Sequence, residues 1–150
     1  PLPLMKSWVD TVAGNNNNWL VLVFHGVDGI GYEALPGELL KEYFEYIKEK
    51  ENDLWVATFA DVTKYIRERM HATPNVNETR QKITVTIKHS LDQTLYDLPL
   101  TLKTYIPENW KAVNVKQGST EKKISPRKDE RGTFIEYLAM PNSGPVEISH

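Results

Sequence analysis

The chain has 150 residues, of which 40% are hydrophobic and 25% are charged, and this composition is that of a globular protein. Its 18 basic residues nearly balance its 20 acidic ones, so no global positive field would attract nucleic acid or an anionic membrane surface. It contains no cysteine, which excludes disulfides, thiolate metal sites and a cysteine nucleophile. We therefore expect neither a nucleic-acid partner nor a membrane partner.

The first part of the chain begins with a helical pattern followed by a strand-like one. Apolar residues at helical spacing predict an amphipathic helix over 4–12, and Gly14 follows as its stop. Next comes an unbroken apolar run of β-formers at 19–24, which ends in His25. A run of this kind is typical of a parallel strand that is buried on both faces.

Two more helices and a second strand are predicted before residue 73. The patterns place a helix at 37–50, a short strand at 54–57 and a third helix after Thr58. Two strands cannot complete a parallel sheet, because a strand that is apolar on both faces needs a neighbour on each side. We therefore expect residues 1–73 to be the last part of a larger (β/α) barrel. The missing strands would come from a missing N-terminal barrel portion or from a swapped copy of the chain itself.

The second part of the chain is predicted to consist of β-strands separated by turns. Pro74 and the small polar residues around it predict a linker at 74–80. Several short strands with alternating apolar residues then favour a small antiparallel β-sandwich over 81–150. In chain order, these strands are predicted at 83–88, 98–103, 110–115, 134–140 and 146–149.

The position of His25 at the end of a predicted strand makes it the candidate catalytic residue. Residues at the carboxyl ends of parallel strands face the site in α/β folds, and the glycine-rich loop 26–31 would let a substrate approach. Imidazole is also well suited to general acid/base work near neutral pH. The structural alternative is a histidine that hydrogen-bonds this loop. Asp28 could orient the imidazole, although an Asp in this setting is more often a turn former.

Aromatic residues offer a second type of site. Aromatics at these strand and helix positions pack in a core more often than they bind sugar, but they could also form a sugar-stacking platform. In the first part of the chain these are Trp19, Tyr43, Tyr46, Trp55 and Tyr65, and Trp110 and Tyr137 could form a carbohydrate-binding face in the second.

The sequence WLVLVFHGVD at 19–28, the helix at 37–50 and the sequence DLWVATFADVTKYIRER at 53–69 resemble the C-terminal part of polysaccharide deacetylases. These are the NodB-homology enzymes of carbohydrate esterase family 4. The resemblance implies a distorted (β/α) barrel and a divalent metal, commonly zinc, held by one Asp and two His. It places His25 at the family's late Leu-x-His motif, as the general acid. Val23 stands where the motif has Leu and would line the pocket for the acetyl methyl group.

The family's metal-binding motifs have no counterpart in this sequence, so the ligands of the metal are absent from the chain. The resemblance therefore implies the C-terminal fragment of a secreted or cell-envelope hydrolase, inactive without its upstream motifs. The complete enzyme would remove N- or O-acetyl groups from an acetylated polysaccharide or oligosaccharide. Two alternatives stay open: a non-catalytic carbohydrate-binding or architectural β-sandwich module, and a pseudoenzyme.

Overall fold

The computed structural model describes residues 1–15 and 17–150, and they form two compact units. The N-terminal unit is Pro1–Phe59 and the C-terminal unit is Ala60–His150. Each unit has its own apolar core. The sequence pattern predicts a division after residue 73 and a linker at 74–80, whereas residues 73–78 form a strand in the structure.

The N-terminal unit is built on two helices that pack against each other. Met5 and Val9, one turn apart on the first helix, meet the fully buried Tyr43 of the second helix. A four-residue spacing places side chains on the same helix face, so this pair forms one contact stripe. The elements of the unit are α1 (Leu2–Ala13), β1 (Gly26–Val27), β2 (Ile30–Gly31) and α2 (Gly37–Glu49).

Polar contacts at the surface hold α1 beside α2. Lys6 Nζ lies 2.8 Å from Glu42 Oε1, and Lys50 Nζ lies 2.9 Å from Asp10 Oδ1. The Tyr46 hydroxyl also donates to Asp10 Oδ1, at 2.5 Å. The Tyr46 hydrogen bond and the Lys50 ammonium lower the pKa of the Asp10 carboxyl. Because these groups are exposed, they contribute more to helix alignment than to stability.

The glycine-rich loop forms a tight β-hairpin. Asp28 and Gly29, at its tip, have φ angles of +53° and +79°, and a type I′ turn requires positive φ at both central residues. Gly26 pairs with Gly31 at its base. A Cβ atom at Gly31 would lie 2.5 Å from the His25 carbonyl oxygen, so the backbones approach too closely for a side chain.

The predicted barrel strands are not strands in the described structure. Residues 19–25 and 54–57 have no place in any sheet, and all pairs among the ten named strands are antiparallel. The prediction of an α/β fold, the C-terminal portion of a distorted (β/α) barrel, is therefore wrong. A β-former run becomes a strand only where a neighbouring backbone accepts and donates its hydrogen bonds, and the N-terminal unit offers 19–25 no such neighbour.

The C-terminal unit contains one helix and two antiparallel sheets that share a core. On β4, Ile83, Val85 and Ile87 are buried and alternate with more accessible polar residues. Trp110, from a loop, completes this core. The larger sheet has the strand order β3-β4-β10-β6-β7 and the smaller one the order β5-β9-β8. The unit is therefore a β-rich fold with two sheets around one core.

The bounds of its elements are α3 (Phe59–His71, which begins at the last residue of the N-terminal unit), β3 (Thr73–Glu78), β4 (Lys82–Lys88), β5 (Leu100–Tyr105), β6 (Val113–Gln117), β7 (Thr120–Ile124), β8 (Arg127–Asp129), β9 (Gly132–Ala139) and β10 (Val146–Ser149).

A buried polar cluster joins α3 to the loops beside β4. The carboxylate of Glu68 is fully buried and accepts hydrogen bonds from Leu98 N at 3.0 Å and from His89 Nε2 at 3.3 Å. Asn142 Oδ1 accepts from His89 N at 3.2 Å, so its Nδ2 donates to His89 O at 3.0 Å and to His89 Nδ1 at 3.4 Å. In this arrangement Nδ1 of His89 accepts from Asn142, so Nε2 is the ring nitrogen that donates to Glu68.

Of the helices described, none has the length and apolar content needed to cross a bilayer.

Candidate functional site

His25 directly precedes the hairpin formed by β1 and β2, and its side chain is exposed. Its ring centroid is 5.7 Å from that of Tyr32, which the hairpin brings back towards it. Asp28, the residue considered as a partner that orients the His25 imidazole, makes a hydrogen bond to α2 instead. Its Oδ1 accepts a hydrogen bond of 2.6 Å from Gly37 N at the first residue of α2, where a carboxylate stabilises the helix terminus. The role of His25 as a general acid stays a prediction.

Val23, the predicted substrate-binding residue, is 75% exposed and lines neither of the two cavities described below. Its proposed contact with an acetyl methyl group stays a prediction. Among residues 1–15 and 17–150, no three His, Asp or Glu side chains come together in a group that could hold a metal ion. The described residues therefore do not fit a zinc site, and a metal-dependent parent enzyme stays a prediction.

A cleft of about 320 Å³ lies in the N-terminal unit, between the last turns of α1 and the segment that follows the helix. Trp8, Thr11 and Val12 share one face of α1, because they are three and four residues apart. Gly14 ends the helix, and residues 17–20 line the same cleft. The lining residues, here called the aromatic cleft, are Trp8, Thr11, Val12, Asn17, Asn18, Trp19 and Leu20.

Two tryptophans give the aromatic cleft its apolar surface. Trp8 is 42% exposed and Trp19 is 43% exposed, so each presents part of its indole ring to solvent. The Trp19 ring packs on the ring of Phe59, with centroids 4.9 Å apart and a tilt of 32°. This packing restricts the rotamers of Trp19, and a ring already held in place loses little entropy when a ligand binds.

Three further residues of the aromatic cleft are polar, and its whole lining is uncharged. Asn17 and Asn18 each bring an amide with donors and acceptors, and among the described residues neither side chain has a hydrogen-bond partner. Thr11 Oγ1 donates to Ser7 O at 2.8 Å, which leaves its lone pairs free to accept. The aromatic cleft can therefore stack against an apolar ring face and hydrogen-bond hydroxyl groups at its rim.

A second cavity, of about 400 Å³, is lined by the start of α1 and one face of α2. Its polar lining is charged, and three of its residues are glutamates. Aromatic side chains do not line it. It lacks the combination of stacking surface and neutral amides that the aromatic cleft provides.

Most of the remaining candidate aromatic residues pack in or against the two apolar cores. Tyr43 is fully buried, and Trp110 and Tyr137 are 2% and 6% exposed, so they do not form a carbohydrate-binding face. Trp8 was missed as a site residue, because helical periodicity alone placed it on the inner face of its helix. The available signal was the polar run after Gly14, which is too hydrophilic for a buried helix end.

Comparison with known proteins gives one distant relative. No family model matches the chain, and no solved structure matches it. Over 155 aligned residues, which cover 97% of the chain, it is 23% identical to a gellan lyase of Bacillus sp.. The match covers 6% of that lyase, so the chain spans only a small part of the relative's length.

These findings correct the family assignment. Nothing in the comparisons points to a polysaccharide deacetylase, so the predicted membership of the NodB-homology hydrolases is wrong. The positional argument for His25 depended on a predicted strand that ends at this residue, and the predicted barrel portion included a second strand at 54–57. In the described structure neither segment is a strand, so the position of His25 no longer supports a site of the deacetylase kind.

Proposed function

We propose that this chain is a non-catalytic carbohydrate-binding module and that the aromatic cleft binds one sugar residue of a polysaccharide. The observation that carries the proposal is the pair of half-exposed tryptophans, Trp8 and Trp19, in one cleft with two asparagine amides. The similarity to a gellan lyase supports a carbohydrate ligand. A polysaccharide ligand also fits a secreted protein.

The chemistry of a sugar ring matches this lining. A pyranose has C–H groups on its flat face and hydroxyl groups around its edge. The indoles of Trp8 and Trp19 would cover the C–H face, and burial of that apolar surface is favourable. The amides of Asn17 and Asn18 would exchange hydrogen bonds with the hydroxyl groups, each of which both donates and accepts.

The charge of the lining favours a neutral sugar over a uronic acid. All seven lining residues are uncharged. The nearest charged residues of α1, Lys6 and Asp10, are paired with Glu42 and Lys50. The N-terminal unit has 4 basic and 9 acidic residues, a net charge of −5, so it would repel a carboxylate at long range.

Isothermal titration calorimetry of the whole chain tests the proposal, with neutral oligosaccharides and with uronic acid oligosaccharides of equal length. We expect the neutral ligands to bind, with a Kd on the order of 1 mM for so small a contact. Trp8→Ala and Trp19→Ala should each weaken binding about tenfold or more, the loss typical of an aromatic anchor.

Trp55→Ala is the matched control, because Trp55 is 56% exposed and does not line the aromatic cleft. Its affinity should equal that of the wild type. Absence of binding to every oligosaccharide would refute the carbohydrate-binding role. Equal losses in all three tryptophan variants would refute the cleft as the site.

A further inference from the structure

Along residues 19–25 the side chains alternate between two environments. Leu20, Leu22 and Phe24 pack against the core of the N-terminal unit. Trp19, Val21 and Val23 point away from that core and are 43%, 46% and 75% exposed. This alternation is that of a β-strand with one buried face, although the segment belongs to no sheet.

The backbone of this segment is unpaired. In the part of the chain that the structure describes, no backbone hydrogen bond links residues 19–25 to another segment. An extended run of β-formers with free N–H and C=O groups is a template for another strand, and natural proteins usually block such an edge with charge or proline. Residues 19–25 contain no Pro, Asp, Glu, Lys or Arg.

We propose that residues 19–25 pair antiparallel with the same residues of a second copy of the chain, about a two-fold axis at Leu22. In this register Leu22 faces Leu22 of the second copy, and Leu20 faces Phe24. The buried faces of the two segments then form one continuous apolar layer. Val21 faces Val23 on the outer side, and β-branched pairs of this kind stabilise antiparallel sheets.

The distribution of charge favours a second copy at this place. The N-terminal unit has a net charge of −5, from 4 basic and 9 acidic residues, so two copies repel each other over most of its surface. The segment itself carries no formal charge with His25 neutral. Two units of equal charge therefore meet with the least repulsion along 19–25.

The exposed apolar area is that of a weak, reversible dimer. Further exposed side chains continue the surface at both ends of the segment, where Tyr32 lies beside His25 and Phe59 lies beside Trp19. Five large hydrophobic side chains outside the aromatic cleft, each with on the order of 100 Å² exposed, provide roughly 500 Å² per copy, at the low end of specific interfaces. They are Val21, Val23, Ile30, Tyr32 and Phe59.

Strand pairing would use the backbone of residues 19–25, whereas sugar binding would use the side chain of Trp19. Backbone hydrogen bonds lie in the plane of the strand, whereas side chains project above and below it. The Trp19 ring can therefore remain in the aromatic cleft while its backbone pairs. Failure of the dimer proposal would therefore leave the carbohydrate-binding proposal unaffected, and the reverse also holds.

Size-exclusion chromatography with light scattering on the full chain, over a range of concentrations, tests the dimer. We expect the mass to rise from 17.2 kDa to twice that value as concentration increases. Val21→Lys with Val23→Lys places lysines opposite each other in both symmetric pairs. This double variant should raise the dimer Kd at least about tenfold. Val21→Glu with Val23→Lys places Glu opposite Lys and should restore pairing.

The restored dimer also shows that the double substitution leaves the fold intact, because both variants remove the same two valines. Val76→Lys with Leu138→Lys is the control, since those side chains are 57% and 58% exposed and lie in the C-terminal unit. A monomer at every concentration would overturn the proposal, as would a dimer unaffected by the two lysines. Equal loss of dimer in the Lys/Lys and Glu/Lys variants would overturn the antiparallel register.

Discussion

The two units of this protein bury their apolar residues to very different extents. Among the described residues, the core of the N-terminal unit contains three buried hydrophobic side chains, and that of the C-terminal unit contains thirteen. The N-terminal unit instead leaves its β-former segment half exposed. A domain of about 60 residues is marginally stable alone, so we expect the N-terminal unit to unfold first on heating. The four predictions below follow from this difference, from the largest effect to the smallest.

His89→Ala should produce the largest effect, and only in the C-terminal unit. It removes a buried partner of Glu68 and leaves the carboxylate dependent on the Leu98 amide. Leaving a buried carboxylate without one of its hydrogen-bond donors costs about 3 kcal/mol, and we expect the unfolding free energy of this unit to fall by about that amount. Urea denaturation measures it. His71→Ala, on the exposed end of α3, is the control and should change stability little. A loss of the same size at His71 would contradict the role of the pair.

Gly31→Ala should destabilise the N-terminal unit alone. The residue has φ of +96°, and a Cβ atom there would lie 2.5 Å from the His25 carbonyl oxygen. We expect a loss of about 1–3 kcal/mol in the lower thermal transition. Gly14→Ala is the control, because Gly14 has φ of −81° and should tolerate Ala with a smaller loss. Equal losses at the two positions would show that the hairpin does not require glycine.

Tyr43→Phe should stabilise the same unit. The hydroxyl of Tyr43 is buried and has no hydrogen-bond partner among the described residues. Removing an unsatisfied buried hydroxyl should raise the unfolding free energy by about 1 kcal/mol. Tyr46→Phe is the matched control with the opposite sign, because its hydroxyl donates to Asp10. A loss of stability in Tyr43→Phe, measured by thermal denaturation, would contradict this account of the core.

Asp129 should make the C-terminal unit sensitive to acid. The Lys103 ammonium, at 2.6 Å, together with the Tyr105 hydroxyl, holds the pKa of Asp129 at about 2, below its ordinary 3.8. The unfolded state therefore takes up the proton first. The stabilisation is present above the unfolded pKa and is lost as the pH falls towards 2.

Urea midpoints between pH 5 and pH 2 test this expectation. The difference between the wild type and Asp129→Asn should shrink as the pH falls, whereas Glu130→Gln should follow the wild type. A constant difference across this range would show that the ionised carboxylate of Asp129 does not stabilise the unit.

Local patterns were sufficient to predict helices and several strands, because each depends on neighbouring residues. The alternation at Ile83, Val85 and Ile87 belongs to a strand with one buried face, and such a strand is present. The run at 19–24 has equally strong β-formers but forms no ladder. Its composition predicted a strand buried on both faces, whereas Val21 and Val23 are 46% and 75% exposed. It carried no information on whether another backbone lies beside it.

The candidate site depended on the same distinction. Trp19 was named as a stacking residue from the sequence, whereas Trp8 was missed, because the rotation of α1 about its axis is set by packing on α2. Glu68 and His89 are 21 positions apart and form a pair only when α3 and the end of β4 come together. Such contacts are non-local, and one sequence without its fold does not indicate them.

The sequence by itself determined the globular character of the molecule, its helices and the alternating strands of the C-terminal unit, since these follow from composition and short-range periodicity. Only the tertiary structure decided that residues 19–25 lack a neighbouring strand, that the glycines form a tight hairpin beside His25 and that two tryptophans meet in one cleft. The physical reason is that hydrogen-bond partners and packing partners are chosen in three dimensions, among residues far apart in the chain.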